Sequence, residues 1–185
     1  SSTGYLTIVN AVDLGVVSAT DGSGSSLEPV ASNFGLLPSG LHQVTWTATD
    51  AQGNESTAVQ QVKVLPRVDV VSSLSKVSKG NSVVVDIVLS GDAPDYPVKI
   101  NYELSGTAQV GSDYKIVDDN ELLTSADGVL TITQGTAASF TIQILSDEEF
   151  ENDKTIEISI SNPINAGLGS ITQQTVTIRL IDIVM

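Results

Sequence analysis

Five acidic side chains lie within seven consecutive positions late in the chain: Asp147, Glu148, Glu149, Glu151 and Asp153. Carboxylates packed this densely repel one another, and a bound divalent cation would offset that repulsion. Ca²⁺ takes about six to eight oxygen ligands and tolerates irregular geometry, so a loop between two antiparallel strands can supply several of them. The segment therefore predicts either part of a Ca²⁺ site or a solvated acidic hairpin tip that binds nothing.

Other acidic positions offer weaker cases for a site. The run Asp118-Asp119-Asn120-Glu121 is predicted to be a solvated loop. Asp13 and Asp21 could also be interpreted as ligands. Asp50 stands before Gly53 in a turn signal, so its carboxylate is expected to bond its own backbone rather than a metal ion.

Candidates for catalysis or ligand recognition are few. His42 lies at a predicted strand start with no acid or serine partner nearby in the sequence. Trp46 alternates with Val44, which predicts a core position rather than a ligand platform. Asn54-Glu55-Ser56 fits a glycosylation sequon. The sequence contains no phosphate-binding glycine loop and no nucleophile elbow, so we expect a protein that is not an enzyme.

Composition limits the possible partners of the 185-residue chain. With 8 basic and 22 acidic residues, its formal net charge is −14, which argues against binding to nucleic acid or an anionic membrane and suits a hard cation. There is no cysteine and a single histidine, so disulfides and multi-histidine metal sites are excluded. No apolar run is long enough to span a membrane. The start at Ser1, without Met or a signal segment, favours a piece of a longer protein.

The residues that must position these groups are typical of β-strands. Val, Ile and Thr are abundant, and alternation with period two recurs along the chain. Residues 44–49 and 58–64 flank the turn at 50–54 and predict a hairpin in which Gly53 takes a positive φ. Shorter strands are predicted at 5–9 and 14–19.

Pro66 marks a predicted domain boundary because proline cannot donate to a strand ladder. The charge also changes there: residues 1–66 carry five acids and one base, whereas residues 67–185 carry 17 acids and seven bases. The second part predicts eight strands, near 68–75, 81–90, 97–104, 113–117, 128–133, 137–145, 154–161 and 171–182. The predicted fold class is therefore all-β, with two tandem immunoglobulin-like antiparallel β-sandwiches.

Several motifs of the second part occur together in one order. They are Gly106-Thr107-Ala108, Gly111-Ser112-Asp113-Tyr114, the acidic hairpin at 144–155, and Val176-Thr177-Ile178 in a strand ending at Asp182. In these motifs residues 67–185 resemble a Calx-β domain. The resemblance implies Ca²⁺ binding through the side chains of Asp113, Asp147, Glu151 and Asp182 and the backbone carbonyl of Glu149.

The chain also departs from the Calx-β pattern. Lys79 and Lys154 stand where the family often has Glu, Ser146 stands where it has Asp, and Leu180 and Ile181 replace acidic residues. These departures imply a reduced site holding one ion at most. A lysine ammonium can also fill the charge role of a missing ion.

The first part resembles a hyalin-repeat (HYR) or related bacterial immunoglobulin-like module, whose motif matches residues 40–54. The usual first strand is missing or cut off before Ser1. Together the resemblances imply an extracellular, bacterial surface protein with a spacer or adhesion role and Ca²⁺-dependent rigidity, its partners being Ca²⁺, neighbouring domains and an unidentified protein or glycan. The alternatives are a carbohydrate- or protein-recognition module and an accessory domain of a secreted hydrolase.

Overall fold

The computed structural model describes residues 6–118, 121–123, 127–146 and 152–179, and the regular elements of these ranges are β-strands and one short 3₁₀ helix. The all-β fold class is therefore confirmed. The chain divides into two compact units: Ser1–Pro66 with Gly91–Pro94, and Arg67–Ser90 with Asp95–Met185. Within the described ranges, no helix has the length and apolar character needed to cross a membrane.

The first unit is built from short strands around one long hairpin. Its elements are β1 (Thr7–Ile8), a 3₁₀ helix (Ala11–Leu14), β2 (Ala19–Thr20), β3 (Ser26–Leu27), β4 (Val30–Ser32), β5 (Leu36–Leu37), β6 (Gly40–Thr49) and β7 (Glu55–Val64). Strands β4, β6 and β7 form one antiparallel sheet in that order, and β1–β5 and β2–β3 form two short pairs. The core contains Val9, Leu14, Val44 and Val64.

The β6–β7 hairpin confirms the prediction at 44–49 and 58–64, and it is longer than predicted. Its register is continuous from Gly40↔Val64 to Thr49↔Glu55. Gly53 has φ +86°, as the turn requires. The Asp50 carboxylate accepts hydrogen bonds from the backbone N–H groups of Gln52 and Asn54 at 2.9 and 2.8 Å, which confirms its role as a turn residue.

Asp50 gives the hairpin turn a defined pH dependence. The Asn54 side-chain amide donates to Asp50 Oδ2 at 2.8 Å, and this bond is the main reason that the pKa of Asp50 lies below its ordinary value of 3.8. The contribution of Asp50 to stability is therefore complete above pH 3.8 and is lost as the pH falls through the lowered folded-state pKa. We expect an NMR titration to place the Asp50 pKa below 3.8, and Asn54→Ala to return it toward 3.8. An unchanged pKa in the variant would contradict this assignment.

The second unit is a sandwich of two sheets. Its strands are β8 (Arg67–Ser72), β9 (Lys76–Ser78), β10 (Ser82–Leu89), β11 (Val98–Gly106), β12 (Tyr114–Asp118), β13 (Glu121–Leu123), β14 (Asp127–Ile132), β15 (Ala137–Ile144), β16 (Lys154–Ile164), β17 (Gly167–Leu168) and β18 (Gln173–Arg179). One sheet has the order β13-β12-β15-β10-β8-β17 and the other β14-β11-β16-β18-β9. Tyr102 on β11 and Phe140 on β15 stack across the core with ring centroids 4.9 Å apart, so the two sheets are in direct contact.

The predicted alternation identifies the inward faces of these strands. Phe140, Ile142 and Ile144 of β15 are buried, as are Ile156, Ile158 and Ile160 of β16 and Val176 and Ile178 of β18. Leu180, the next position of the alternation after Val176 and Ile178, lies outside the described residues. Period-two alternation thus located the core correctly on all three strands that showed it most clearly.

Two strand predictions differ from the structure. The strand expected near 68–75 is β8, which ends at Ser72, and β9 at Lys76–Ser78 was not predicted; the two strands belong to different sheets, so the chain crosses between the sheets at 73–75. The strand expected at 14–19 is also absent, because Leu14 ends the 3₁₀ helix that Asn10 and Asp13 cap reciprocally, and strand β2 begins only at Ala19.

Candidate functional site

Asp113 is the buried charged side chain in the part of the chain that the structure describes, with 7% of its surface exposed. It ends the connection between β11 and β12, where its backbone N–H donates to Gln109 O at 2.8 Å. Its carboxylate closes the same turn, since Gln109 N–H donates to Asp113 Oδ2 at 2.7 Å. The loop is therefore folded around this carboxylate by main-chain and side-chain bonds together.

Lys154, the first residue of β16, neutralises the buried carboxylate. Its Nζ lies 2.7 Å from Asp113 Oδ1, and the exposed fractions of the two side chains are 25% and 7%. A charged pair at hydrogen-bond distance and largely shielded from water interacts more strongly than a surface pair. Lys154 Nζ thus contacts one carboxylate oxygen of Asp113 while the Gln109 N–H occupies the other.

Two threonines hold the start of β16 against this loop. Thr155 N–H donates to Thr107 Oγ1 at 2.8 Å, and Ala108 N–H donates to Thr155 O at 3.0 Å. Gly106 makes the close approach possible: its φ is +114°, and a Cβ there would overlap Thr155 O. These contacts fix where Lys154 stands relative to Asp113.

The loops that flank the acidic segment meet the same end of the sandwich. Leu145 N–H donates to Asp113 O at 2.8 Å, and Ile144 N–H donates to Asn81 O at 2.9 Å. A Cβ on Gly80 would lie 2.9 Å from Ser146 Oγ, so the two loops are close neighbours. The described flanks of the acidic segment, Ser146 on one side and Lys154 on the other, are thus both placed near Asp113.

Asp113 also acts on its neighbour Tyr114, whose side chain is 1% exposed. Burial, and secondly the negative charge of Asp113, raise the pKa of Tyr114 above its ordinary value of 10.0. Because both causes disfavour the phenolate, Tyr114 stays protonated at neutral pH and serves as a core residue of β12.

The described residues alone do not form a Ca²⁺ site. Of the five predicted ligands the structure describes Asp113 alone, and an ammonium and an N–H already engage both of its oxygens. Within the described ranges, no group of three or more His, Cys, Asp or Glu side chains converges as metal ligands would. The other predicted ligands, Asp147, Glu149, Glu151 and Asp182, lie outside the described residues.

Sequence reasoning missed the Gln109 N–H as a partner of Asp113. The spacing of four residues between Gln109 and Asp113 is the one signal that pointed to it, because aspartates commonly bond backbone groups within their own turn. The Thr107–Thr155 contacts were also missed, since they join residues 48 positions apart in the sequence.

The other residues singled out in the sequence have structural partners. Trp46 packs against the core of the first unit, as predicted, and its Nε1–H donates to Gln60 Oε1 at 2.8 Å. Gln60 in turn donates to Leu14 O at 3.0 Å. His42 Nε2 lies 2.8 Å from Pro38 O, a backbone acceptor rather than a catalytic partner.

The chain has limited similarity to known proteins. No protein-family model matches the chain. Among solved structures, the apo-form Calx CBD1 domain is similar at 24% identity and a TM-score of 0.45, with 60% of this chain and 96% of that chain covered. The calcium-binding domain CBD12 of CALX1.1 has the same identity, TM-score and coverage of this chain, with 44% of its own length covered.

A type II cohesin domain from the cellulosome of Acetivibrio cellulolyticus is similar at 12% identity and a TM-score of 0.36, covering 61% of this chain and 95% of that domain. Superpositions at these scores are too loose to carry an argument about fold or ligands. The sandwich described above therefore rests on its own strand pairings and on its core.

Proposed function

We propose that the chain is a pair of non-enzymatic immunoglobulin-like modules, residues 1–66 of the HYR-like type and residues 67–185 of the Calx-β type. They act as a spacer that holds neighbouring domains of the same polypeptide apart. The whole protein is a larger bacterial one that is secreted or anchored at the cell surface. The two-sheet core of the second unit and the motif order in its sequence support this proposal.

The observation that carries the proposal is the ion pair between Lys154 Nζ and Asp113 Oδ1 at 2.7 Å. A spacer needs ordered loops at its ends, and acidic loops become ordered when a positive charge neutralises them. In this chain the positive charge that faces Asp113 is supplied by Lys154 of the protein itself. The proposed spacer therefore keeps the Asp113 end of the sandwich rigid through a resident ammonium, whereas the Calx-β resemblance implies Ca²⁺ there.

This proposal predicts that the chain unfolds at the same temperature with and without Ca²⁺. A ligand that binds only the folded state stabilises it by RT ln(1 + [L]/Kd), so an absent site gives no shift. Thermal unfolding of the full chain, followed by circular dichroism in millimolar Ca²⁺ and in chelator, measures the difference. Mg²⁺ at equal ionic strength serves as the control for screening of the acidic surface.

A Ca²⁺-specific rise in the unfolding midpoint would contradict the resident-ammonium proposal. If Asp147→Ala abolished that rise, the Ca²⁺-dependent rigidity expected from the sequence would hold instead, with ligands drawn from the segment at 147–151. An equal unfolding midpoint in Ca²⁺, in chelator and in Mg²⁺ supports the resident-ammonium proposal.

A further inference from the structure

The tip of the β6–β7 hairpin carries a modification motif that the spacer proposal leaves unused. Asn54-Glu55-Ser56 is the one Asn-X-Ser/Thr sequence among the nine asparagines of the chain, and its middle residue is not proline. N-glycosyltransferases recognise this motif, and the asparagines that they modify lie in surface segments. The place of Asn54 in the fold therefore decides whether the motif can be used.

The hairpin tip is open to solvent. Every residue from 51 to 59 is exposed, and Val59, which lies furthest from the turn among them, keeps 61% of its surface accessible. A modifying enzyme can therefore reach the motif without displacing a packed side chain of this segment.

A neighbouring segment of the same compact unit, Gly91–Pro94, lies at the other end of the hairpin. A Cβ on Gly91 would lie 2.5 Å from Ser39 Oγ, and Ser39 directly precedes β6. A four-residue segment spans about 14 Å at most, whereas the ten residues of β6 span roughly 30 Å. The segment at 91–94 therefore does not reach the tip and leaves Asn54 uncovered.

Asn54 and Ser56 direct their side chains to the same side of the hairpin. Asp50 N–H donates to Asn54 O at 3.0 Å, so the pairing between the two strands continues from β7 back to Asn54. Residues two apart in an extended segment have side chains on one face. A single enzyme site can therefore contact the acceptor amide of Asn54 together with the hydroxyl group that the motif requires.

The turn holds the acceptor amide in a position that a sugar does not disturb. Asn54 Nδ2 donates to Asp50 Oδ2 at 2.8 Å, and the backbone N–H of Asn54 donates to Asp50 Oδ1 at 2.8 Å. A side-chain amide nitrogen carries two hydrogens, and glycosylation replaces one of them, so the bond to Asp50 can remain. The hairpin turn is therefore compatible with both the modified and the unmodified asparagine.

We propose that Asn54 is an N-glycosylation site, which receives a sugar from a donor that has a diphosphate leaving group. In this step Asn54 Nδ2 forms a bond to the anomeric carbon of the sugar, and the bond from that carbon to the phosphate oxygen of the donor breaks. The diphosphate leaves with the electron pair of the broken bond, and one amide proton passes to a base of the transferase. Nucleoside diphosphate sugars and lipid-linked diphosphate sugars share this chemistry.

An acceptor assay on the full, folded chain tests the site. One arm supplies UDP-glucose with a soluble transferase specific for Asn-X-Ser/Thr, and the other supplies a lipid-linked diphosphate oligosaccharide with a membrane-bound transferase of the same specificity. Intact mass spectrometry counts the glycans, and tandem mass spectrometry of peptides identifies the modified residue. The expected result is one glycan per chain, attached to Asn54.

Ser56→Ala is the variant that removes the motif with the least effect on the turn. Ser56 is exposed, and the substitution leaves both bonds between Asn54 and Asp50 in place. It should abolish the modification, whereas Ser56→Thr keeps the hydroxyl group and should retain it. Circular dichroism of the two variants checks that the fold is unchanged.

Glu103→Ser provides a matched control, because it creates a second motif at Asn101. Asn101 is also exposed, but it lies in the middle of β11, which pairs with β14 on one side and with β16 on the other. A strand held on both edges opens far less readily than a hairpin tip, so Asn101 should be modified at least about tenfold more slowly than Asn54 in the folded chain. In the unfolded chain the two rates should be similar.

Each outcome of the assay bears on the site. Modification of Asn54 in either arm supports the proposal, and modification in one arm alone identifies the class of donor. A folded chain that stays unmodified at Asn54 in both arms overturns the proposal. Modification that persists in Ser56→Ala, or equal rates at Asn54 and Asn101 in the folded chain, overturns it as well. None of these outcomes depends on the Lys154–Asp113 pair, so they are independent of the Ca²⁺ experiment.

Discussion

Lys154→Met is expected to lower the free energy of unfolding by about 2–3 kcal/mol. The substitution leaves Asp113, 7% exposed, without the ammonium that contacts its Oδ1. Removing one partner of a fully buried ion pair costs roughly 3–5 kcal/mol, and the smaller figure applies here because Lys154 keeps 25% exposure and Gln109 N–H still donates to Oδ2. Chemical denaturation of the full chain, monitored by the second unit's transition, measures the loss.

Lys76→Met is the matched control, because Lys76 is an exposed lysine of the same unit and its loss should change stability by less than about 0.5 kcal/mol. Asp113→Asn completes a double-mutant cycle with Lys154→Met. A coupling energy of about 1 kcal/mol or more would identify a direct interaction. A loss no larger than that of the control would show that the pair does not hold the loop.

Gly106→Ala is expected to destabilise the second unit by at least about 3 kcal/mol. Gly106 has φ +114°, a conformation that L side chains rarely adopt, and an added Cβ would overlap Thr155 O and lie 2.9 Å from Thr155 C. Both obstacles are backbone atoms, which cannot rotate away as a flexible side chain would. Conformational strain of about 1–3 kcal/mol and displacement of β16 therefore add. The unfolding midpoint in denaturant measures the loss.

Gly111→Ala, in the loop that follows Gly106, separates the cost of the strained backbone conformation from the cost of steric overlap. Gly111 also has a positive φ, +86°, but nothing lies within 4 Å of a Cβ built there. Only the left-handed conformation is penalised, so the expected cost is about 1–2 kcal/mol. If the two variants lost equal stability, the close approach of Gly106 to Thr155 would not be a stabilising feature of this end of the sandwich.

The sequence predicted the strands well where one face of the strand is buried and the other is exposed to solvent. On β15, on residues 156–160 of β16 and on β18 the period-two pattern is continuous, because these strands lie inside their sheets and each inward residue has a place in the core. The β6–β7 hairpin was predicted for a different reason, since Gly53 and Asp50 together specify the turn. Both signals are local and need no knowledge of the partner strand.

Elements that depend on distant partners were predicted less well. The break between β8 and β9 is set by pairing with β10 on one side and β18 on the other, and no residue at 73–75 signals a change of sheet. The 3₁₀ helix at Ala11–Leu14 was missed because Leu14 was assigned to the strand predicted at 14–19. Local propensity cannot separate these cases, because tertiary contacts decide them.

The candidate site was predicted in part. Asp113 and Lys154 were both noted in the sequence, the first as an implied ligand and the second as a departure from an acidic position. Their contact at 2.7 Å joins residues 41 positions apart, so no spacing rule could have given it. The Ca²⁺ ligands Asp147, Glu149, Glu151 and Asp182 remain predictions, and the experiment with Ca²⁺ and chelator addresses them.

The crossing of the chain between β8 and β9 has a mechanical consequence. The first two strands of the second unit each lie parallel to one of its last two described strands, β8 beside β17 and β9 beside β18, with Thr177 N–H donating to Ser75 O at 2.9 Å. Tension applied through the two ends would drag these neighbours in opposite directions along their length. Their hydrogen bonds would then be loaded together in shear rather than unzipped singly, so this module should resist being pulled open.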